Sequence, residues 1–443
     1  MRKISKLSLV AAVAVAGFST ANAQPLEEAI KNVEVSGSVV YRYDNFGQDR
    51  TFHNGVQTNN GLDGNRSGNN NYKIGLNLSS KVNDYVKFNS RFIVGSKDNG
   101  GFASLRAGRD GNTAGSDAQA DVSLSNAYFG LSVIPNTIIN IGKQGLTTPY
   151  TVATDINGNE QTGTGILALT NIGPVTAGAG YFNNTNLNNS TEINGTQGSG
   201  VSNNAAKSIT SIVAGSLVTT TIPSTINGGS DVYVATLQGD LDFVKLEAWY
   251  LGMQETFNTY TLAATSDIEL AENAKLGLEA RYVNLTLDDR IVGNGEDENA
   301  MIRVGVNGKI GIVNAKVVYV NTDKKGGLVA LDQDSKNATL GWAITSNGVA
   351  NADYWQAALG ADILDNLNFT VNYGNLKAKD TNKANALAIT DVKAQEVYGQ
   401  LTYKMSKNLS TYLRYGTYEE KIESTGAKVM DQTRGRIQVA YTF

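Results

Sequence analysis

Residues 32–43 read NVEVSGSVVYRY and residues 436–443 read RIQVAYTF. In the first stretch Val33, Val35, Gly37, Val39, Tyr41 and Tyr43 fall on one parity, and Glu34, Ser36, Ser38 and Arg42 on the other. In the second, Ile437, Val439, Tyr441 and Phe443 alternate with Arg436, Gln438, Ala440 and Thr442. Side chains of a strand point to opposite faces in turn, so each stretch has one apolar and one polar face. The same alternation occurs in YKIGLNLS (residues 72–79) and LNFTVNY (residues 367–373). The segments run roughly 10–14 residues, enough to cross a bilayer at a tilt near 40°. Strands of soluble proteins are usually about 5–6 residues long.

The links between segments also alternate. Asn83-Asp84, Ile134-Pro135, Gly173-Pro174, Ala271-Glu272-Asn273, Asp365-Asn366 and Ser406-Lys407-Asn408 are short. Long links rich in Asn, Gly, Ser, Thr and Asp occupy residues 47–69, 97–120, 147–162, 185–230, 324–353, 380–393 and 422–433. Tight periplasmic turns and long external loops characterise outer-membrane barrels. The expected fold class is all-β: a transmembrane antiparallel β-barrel of about 18 strands (16–18), with both termini on the periplasmic side. Residues 208–219 and 339–347 are also strand-like and put the count in question by two.

The first 23 residues have the form of an export signal. Arg2, Lys3 and Lys6 precede the apolar run Leu7–Phe18, and Ala21-Asn22-Ala23 gives the small-x-small cleavage pattern. The 12-residue run is too short to span about 30 Å of hydrocarbon as a helix. The mature unit is then residues 24–443, and loss of the three leader cations takes the net charge from −4 to −7. That balance argues against a nucleic-acid partner and for easier handling of cations than anions. A mean hydropathy of −0.23 suits a barrel, where only alternate residues meet lipid. There is no Cys, so there is no disulfide and no thiol nucleophile.

A barrel of 16–18 strands is wide enough for an aqueous channel. Passage of small hydrophilic solutes and ions is the expected function, and no enzyme activity is expected. The only histidine, His53, stands in the first long loop with no motif around it. Two other readings remain: a surface adhesin anchored by its barrel, and a substrate-specific channel. Arg42, Arg91, Arg281, Arg303, Arg414 and Arg436 all have the polar parity of their strands, so they are expected to line the pore. Facing acidic loop residues, they would set a transverse field or brace the wall.

The third long loop, TTPYTVATDINGNEQTGTG from residue 147, is the expected inward-folded constriction, with Asp155 and Glu160 as its acids. Asp155, Asn157 and Asn159 match the start of a calcium loop. The sixth position is Glu160 instead of Gly and the twelfth is Ile166 instead of Glu, so this is no EF-hand. A looser cation site at Asp155, completed by acids such as Asp288 or Asp289, stays open. Tyr441 and Phe443 end the chain as barrel-assembly machinery reads last strands, in aromatic residues.

The stretch PLEEAIKNVEVSGSVVYRYDN (residues 25–45) resembles the entry segment of Campylobacter-type major outer membrane porins. So do the leader, Gly142-Lys143-Gln144, Thr154-Asp155, Gly163-Thr164-Gly165 and the RGRIQVAYTF end. The resemblance implies an 18-stranded, trimeric, cation-preferring outer-membrane porin with a calcium-associated constriction, Asp155 being the one residue carried over as a cation ligand. No cofactor is expected to be required, with calcium the one candidate ion. Outer-membrane lipid, lipopolysaccharide and the assembly machinery are the partners the resemblance implies.

Overall fold

A computed structural model describes residues 33–48, 51–53, 56–59, 66–96, 100–106, 120–187, 207–213, 216–222, 226–289, 296–379, 391–426 and 428–443. The signal peptide expected at 1–23, the lead-in at 25–32 and the middles of the first, second, fourth and sixth long loops lie outside these residues.

Eighteen strands close into one antiparallel barrel. They are β1 (Val33–Gln48), β2 (Arg66–Asn83), β3 (Val86–Gly95), β4 (Asp121–Leu131), β5 (Thr137–Gly145) and β6 (Thr162–Ile172). Next come β7 (Val175–Thr185), β8 (Val232–Asp240), β9 (Lys245–Met253), β10 (Phe257–Ala271), β11 (Ala274–Leu287) and β12 (Glu298–Ile310). The last six are β13 (Val313–Thr322), β14 (Ala352–Leu364), β15 (Leu367–Lys379), β16 (Asp391–Lys404), β17 (Leu409–Ile422) and β18 (Lys428–Thr442). Each pairs with its sequence neighbours, and β1 pairs with β18 from Ser38 opposite Thr442 to Gln48 opposite Gln432. A four-residue strand, Ala103–Arg106, continues the wall beside β2 above the end of β3.

The two strand-like stretches left over are not wall strands. Lys207–Val213 pairs only with Ser216–Ile222, in a separate hairpin. Residues 339–347 belong to the long link between β13 and β14 and hold a single bridge, Leu340 to Thr345. The short-long rhythm also breaks twice: the long link expected at 422–433 is short, because β17 runs to Ile422 and β18 already begins at Lys428. The external link between β9 and β10 is only Gln254, Glu255 and Thr256, turned by Glu255 at φ 57°.

At the seam, Gly37 N–H donates to Phe443 O at 2.9 Å and Phe443 N–H donates to Gly37 O at 3.1 Å. A Cβ on Gly37 would stand 2.3 Å from Gly75 O and 2.7 Å from the Phe443 ring, so the last residue seats only because Gly37 has no side chain. The Tyr441 and Phe443 rings stack with centroids 5.8 Å apart on the outer face.

Over the middle of the barrel the expected parity holds. Leu262, Ile302, Val304, Val306, Leu359 and Val371 are exposed outward, where lipid satisfies them. Toward the external end comes a belt of rings: Tyr181 against Tyr233 (5.4 Å), Tyr260 against Tyr282 (6.0 Å) and Tyr319 against Trp355 (4.6 Å). Beyond the belt the polarity inverts. Asn258, Asn284 and Lys377 face out, while Phe257, Val283, Leu285, Leu287, Val320 and Leu376 are buried inside. The belt marks the edge of the hydrocarbon, so the outer surface beyond it meets water and the apolar positions turn inward.

What they meet is a packed cluster within the external part of the barrel. Leu146 and Tyr150 from the β5–β6 loop, and Leu328, Val329, Leu331 and Ile344 from the β13–β14 loop, pack on the inner surface of β7–β16. The expectation of a uniformly polar lumen is therefore corrected. One side is filled by two inward loops with a dry seat, because a loop folded into a barrel must bury apolar side chains to hold its place.

Candidate functional site: two inward loops and a charged wall

The loop at 146–161 is tied down by ion pairs. The Glu160 carboxylate, 5% exposed, accepts from Lys73 Nζ (2.5 Å), Arg91 Nε (2.9 Å) and Nη2 (3.0 Å), Ser125 Oγ (2.8 Å) and Thr154 Oγ1 (3.1 Å). Burial alone would raise its pKa, but the hydrogen bonds and charges of Arg91 and Lys73 outweigh burial and hold it below the usual glutamate value. Arg91 engages both oxygens, the geometry that makes guanidinium–carboxylate pairs strong and directional. Lys73 also donates to Gly158 O, and Arg42 Nη2 donates to Ile156 O at 2.6 Å. Asp155 organises its own turn. Its Oδ1 accepts from the N–H groups of Asn157 and Asn159, both at 2.8 Å, and its Oδ2 accepts from Asn159 Nδ2 at 2.7 Å.

The loop at 323–351 is tied to the first loop and to the wall beside it. Leu331 N–H donates to Tyr150 O (2.8 Å) and Asn337 N–H to Pro149 O (2.9 Å). Ile156 N–H donates to Asp334 Oδ2 and Gln161 Nε2 to Asp332 Oδ2, each at 2.7 Å. Burial first, then the neighbouring Asp334 and the charge of Asp155, push Asp332 up to about 10. Burial therefore favours the neutral form of the Asp332 carboxyl. On the neighbouring wall, Glu396 on β16 accepts from the N–H groups of Trp342 (3.0 Å) and Ala343 (2.7 Å).

The expected arginines divide into four groups. Arg42 and Arg91 meet the first loop together with Glu160. Arg281 and Arg303 meet the second: Arg281 Nη1 donates to Asn337 Oδ1 (3.3 Å), and Arg303 donates to Ala338 O (3.0 Å) and Glu279 (2.5 Å). Arg436 pairs with Asp44 across the β1–β18 seam. Arg414 has no acid partner among the described residues. Its guanidinium lies over Trp342, Tyr398 and Tyr412, with Nε donating to Gln400 at 2.8 Å.

Sequence reasoning missed Lys73, Lys316, Asp332, Asp334, Trp342 and Glu396. One signal was available: Leu328-Val329-Ala330-Leu331 is an apolar run inside a supposedly solvated external loop, and all four residues have 0% exposure. For calcium, no three acidic or histidine side chains among the described residues stand close enough together to hold a metal ion.

A family model for the Campylobacter major outer membrane protein matches residues 1–443. The chain belongs to that family. It is an outer-membrane porin, located in the bacterial outer membrane. No curated protein sequence matches it. Among solved structures, Pseudomonas aeruginosa OpdL is similar at TM-score 0.66 and 15% identity, over 93% of this chain and 99% of that one. Acinetobacter baumannii OccAB1 is similar at TM-score 0.65 and 14% identity, over 92% and 96%. Pseudomonas aeruginosa OccK8 (OprE) is similar at 0.64 and 15%, over 93% and 98%. At these identities the likeness establishes the barrel fold of the porin and not its solutes.

Proposed function

We propose that this porin is a general diffusion channel for ions and small hydrophilic solutes with a mild preference for cations. The observation that carries the proposal is the pair of inward loops, one gripped by a charged wall and one seated mainly on an apolar wall, which narrow an 18-stranded barrel. The mature charge of −7 and the loop acids Asp155 and Asp334 favour cations at low salt. In this reading Arg42, Arg91, Arg281, Arg303 and Arg436 hold the loops and the seam, and Arg414 lines the passage. Export through residues 1–23, reading of Tyr441 and Phe443 by the assembly machinery, lipopolysaccharide around the belt and a trimeric state belong to the same proposal. Calcium enters no step of it, because Asp155 already spends both oxygens on its own turn.

The test is single-channel recording in planar bilayers under a KCl gradient. A conducting pore with a cation-selective reversal potential is expected. Asp155→Asn should shift that potential toward zero, and an unchanged value removes Asp155 from the constriction. A non-conducting protein would favour the adhesin reading.

A further inference from the structure

Two lumen cations are left without an acid partner beside the second loop. Lys316 on β13 points inward, on the parity of Asn314 and buried Val318, while Val313 and Val317 face out. It is exposed to the lumen and has no ion pair or side-chain hydrogen bond among the described residues. It lines a cavity of about 340 Å³ and an adjoining one of about 190 Å³, in both cases with Tyr398 and Gly341. Arg414 lines the larger cavity too. Its ring neighbours and Gln400 fix the guanidinium plane, and neither terminal nitrogen has a protein acceptor among the described residues. The acids of the two cavities outside an ion pair are Asp334, on the loop side, and Glu396, whose carboxylate is taken up by the N–H groups of Trp342 and Ala343; Glu279 is neutralised by Arg303 and Arg281.

An immobilised guanidinium with open donors costs little entropy to engage and matches a planar oxyanion. A flexible, exposed ammonium four strands away on the same cavity adds long-range attraction. We propose that Lys316 and Arg414 form a lane along the passage wall that binds solutes carrying a carboxylate, while the loop acids opposite serve cations. The wall then acts as a specificity determinant for organic acids within a pore whose overall charge is negative. This rests on the channel reading above and adds a solute class to it.

The test uses the full mature chain in planar bilayers in KCl, with potassium succinate added to one side and neutral arabinose as the control. Succinate should produce transient current blockades and arabinose none. Lys316→Gln should lower blockade frequency at least about tenfold, since steering by a pore charge acts on the rate of entry. Arg414→Lys, which keeps the charge but loses the planar fork, should shorten each blockade. A β-rich far-UV circular dichroism spectrum and the appearance of KCl channels in the bilayer show that both variants fold and insert. Intact KCl conductance with no succinate blockade, or a frequency unchanged in Lys316→Gln, would overturn the lane and leave the channel reading standing. Absence of any KCl current would overturn the channel reading and the lane with it.

Discussion

The two inward loops are held by opposite physics. Loop 146–161 sits on the wall of β1–β4, where Arg42, Lys73, Arg91 and Ser125 grip it by charge and hydrogen bonds. Loop 323–351 sits largely on the wall of β8–β16, where Leu328, Val329 and Leu331 bury themselves among Val283, Leu285, Met301, Val320 and Tyr354. An ionic anchor responds to pH and to loss of one partner; a hydrophobic anchor responds to lost volume. The difference teaches that one barrel can fix one loop mainly by electrostatics and another mainly by burial, so that the two respond to different perturbations although they are hydrogen-bonded to each other.

The largest effect is expected at Glu160. Glu160→Gln leaves Lys73 and Arg91 buried without a counter-charge, and breaking such a pair costs about 3–5 kcal/mol. The first loop should detach, giving larger and noisier single-channel currents. Acid should do the same to the wild type. The folded-state pKa of Glu160 is depressed, so its contribution is complete above the unfolded value and is lost as pH falls through the folded one. Currents that stay quiet in Glu160→Gln would show that the ionic grip is dispensable.

Leu331→Ala probes the other anchor. Removing a fully buried leucine costs about 2–5 kcal/mol. The second loop should loosen with no new dependence on pH between neutral and acid, in contrast to the first. Thermal unfolding in detergent measures the loss, and currents at two pH values separate the anchors. A Leu331→Ala channel that became acid-sensitive would merge the two mechanisms into one.

The sequence displayed the membrane-facing part of this contrast and hid the rest. Alternation in NVEVSGSVVYRY and RIQVAYTF followed from lipid on one face, so the barrel, its seam and most turns were readable. The arginine parity was readable for the same reason. The second loop was hidden because a link rich in Gly, Asn, Ser and Asp was taken as solvated, although its LVAL run needs a dry partner. The inversion beyond the ring belt was hidden because Tyr282-Val283-Asn284-Leu285-Thr286-Leu287 keeps perfect alternation while its apolar set changes sides. Periodicity reports that two faces differ; it does not report which face meets water.

That inversion yields the smallest predicted effect and the sharpest control for it. Val304 on β12 faces outward within the lipid band, and Asn284 on β11 faces outward beyond the belt, one outward position past Tyr282. Val304→Lys places an ammonium in hydrocarbon, at a cost of about 2–4 kcal/mol if it lies near the midplane. Asn284→Lys places the same ammonium where the barrel meets headgroups and water, and should stay within about 0.5 kcal/mol of wild type. Both changes are outward, both sit on long central strands, and neither touches the loops, so the difference between them isolates the outer solvent. Unfolding midpoints of the two variants after refolding into lipid vesicles give that difference directly. Equal losses at both sites would mean that lipid extends past the rings, and that the buried Val283, Leu285 and Leu287 turn inward for some reason other than water outside.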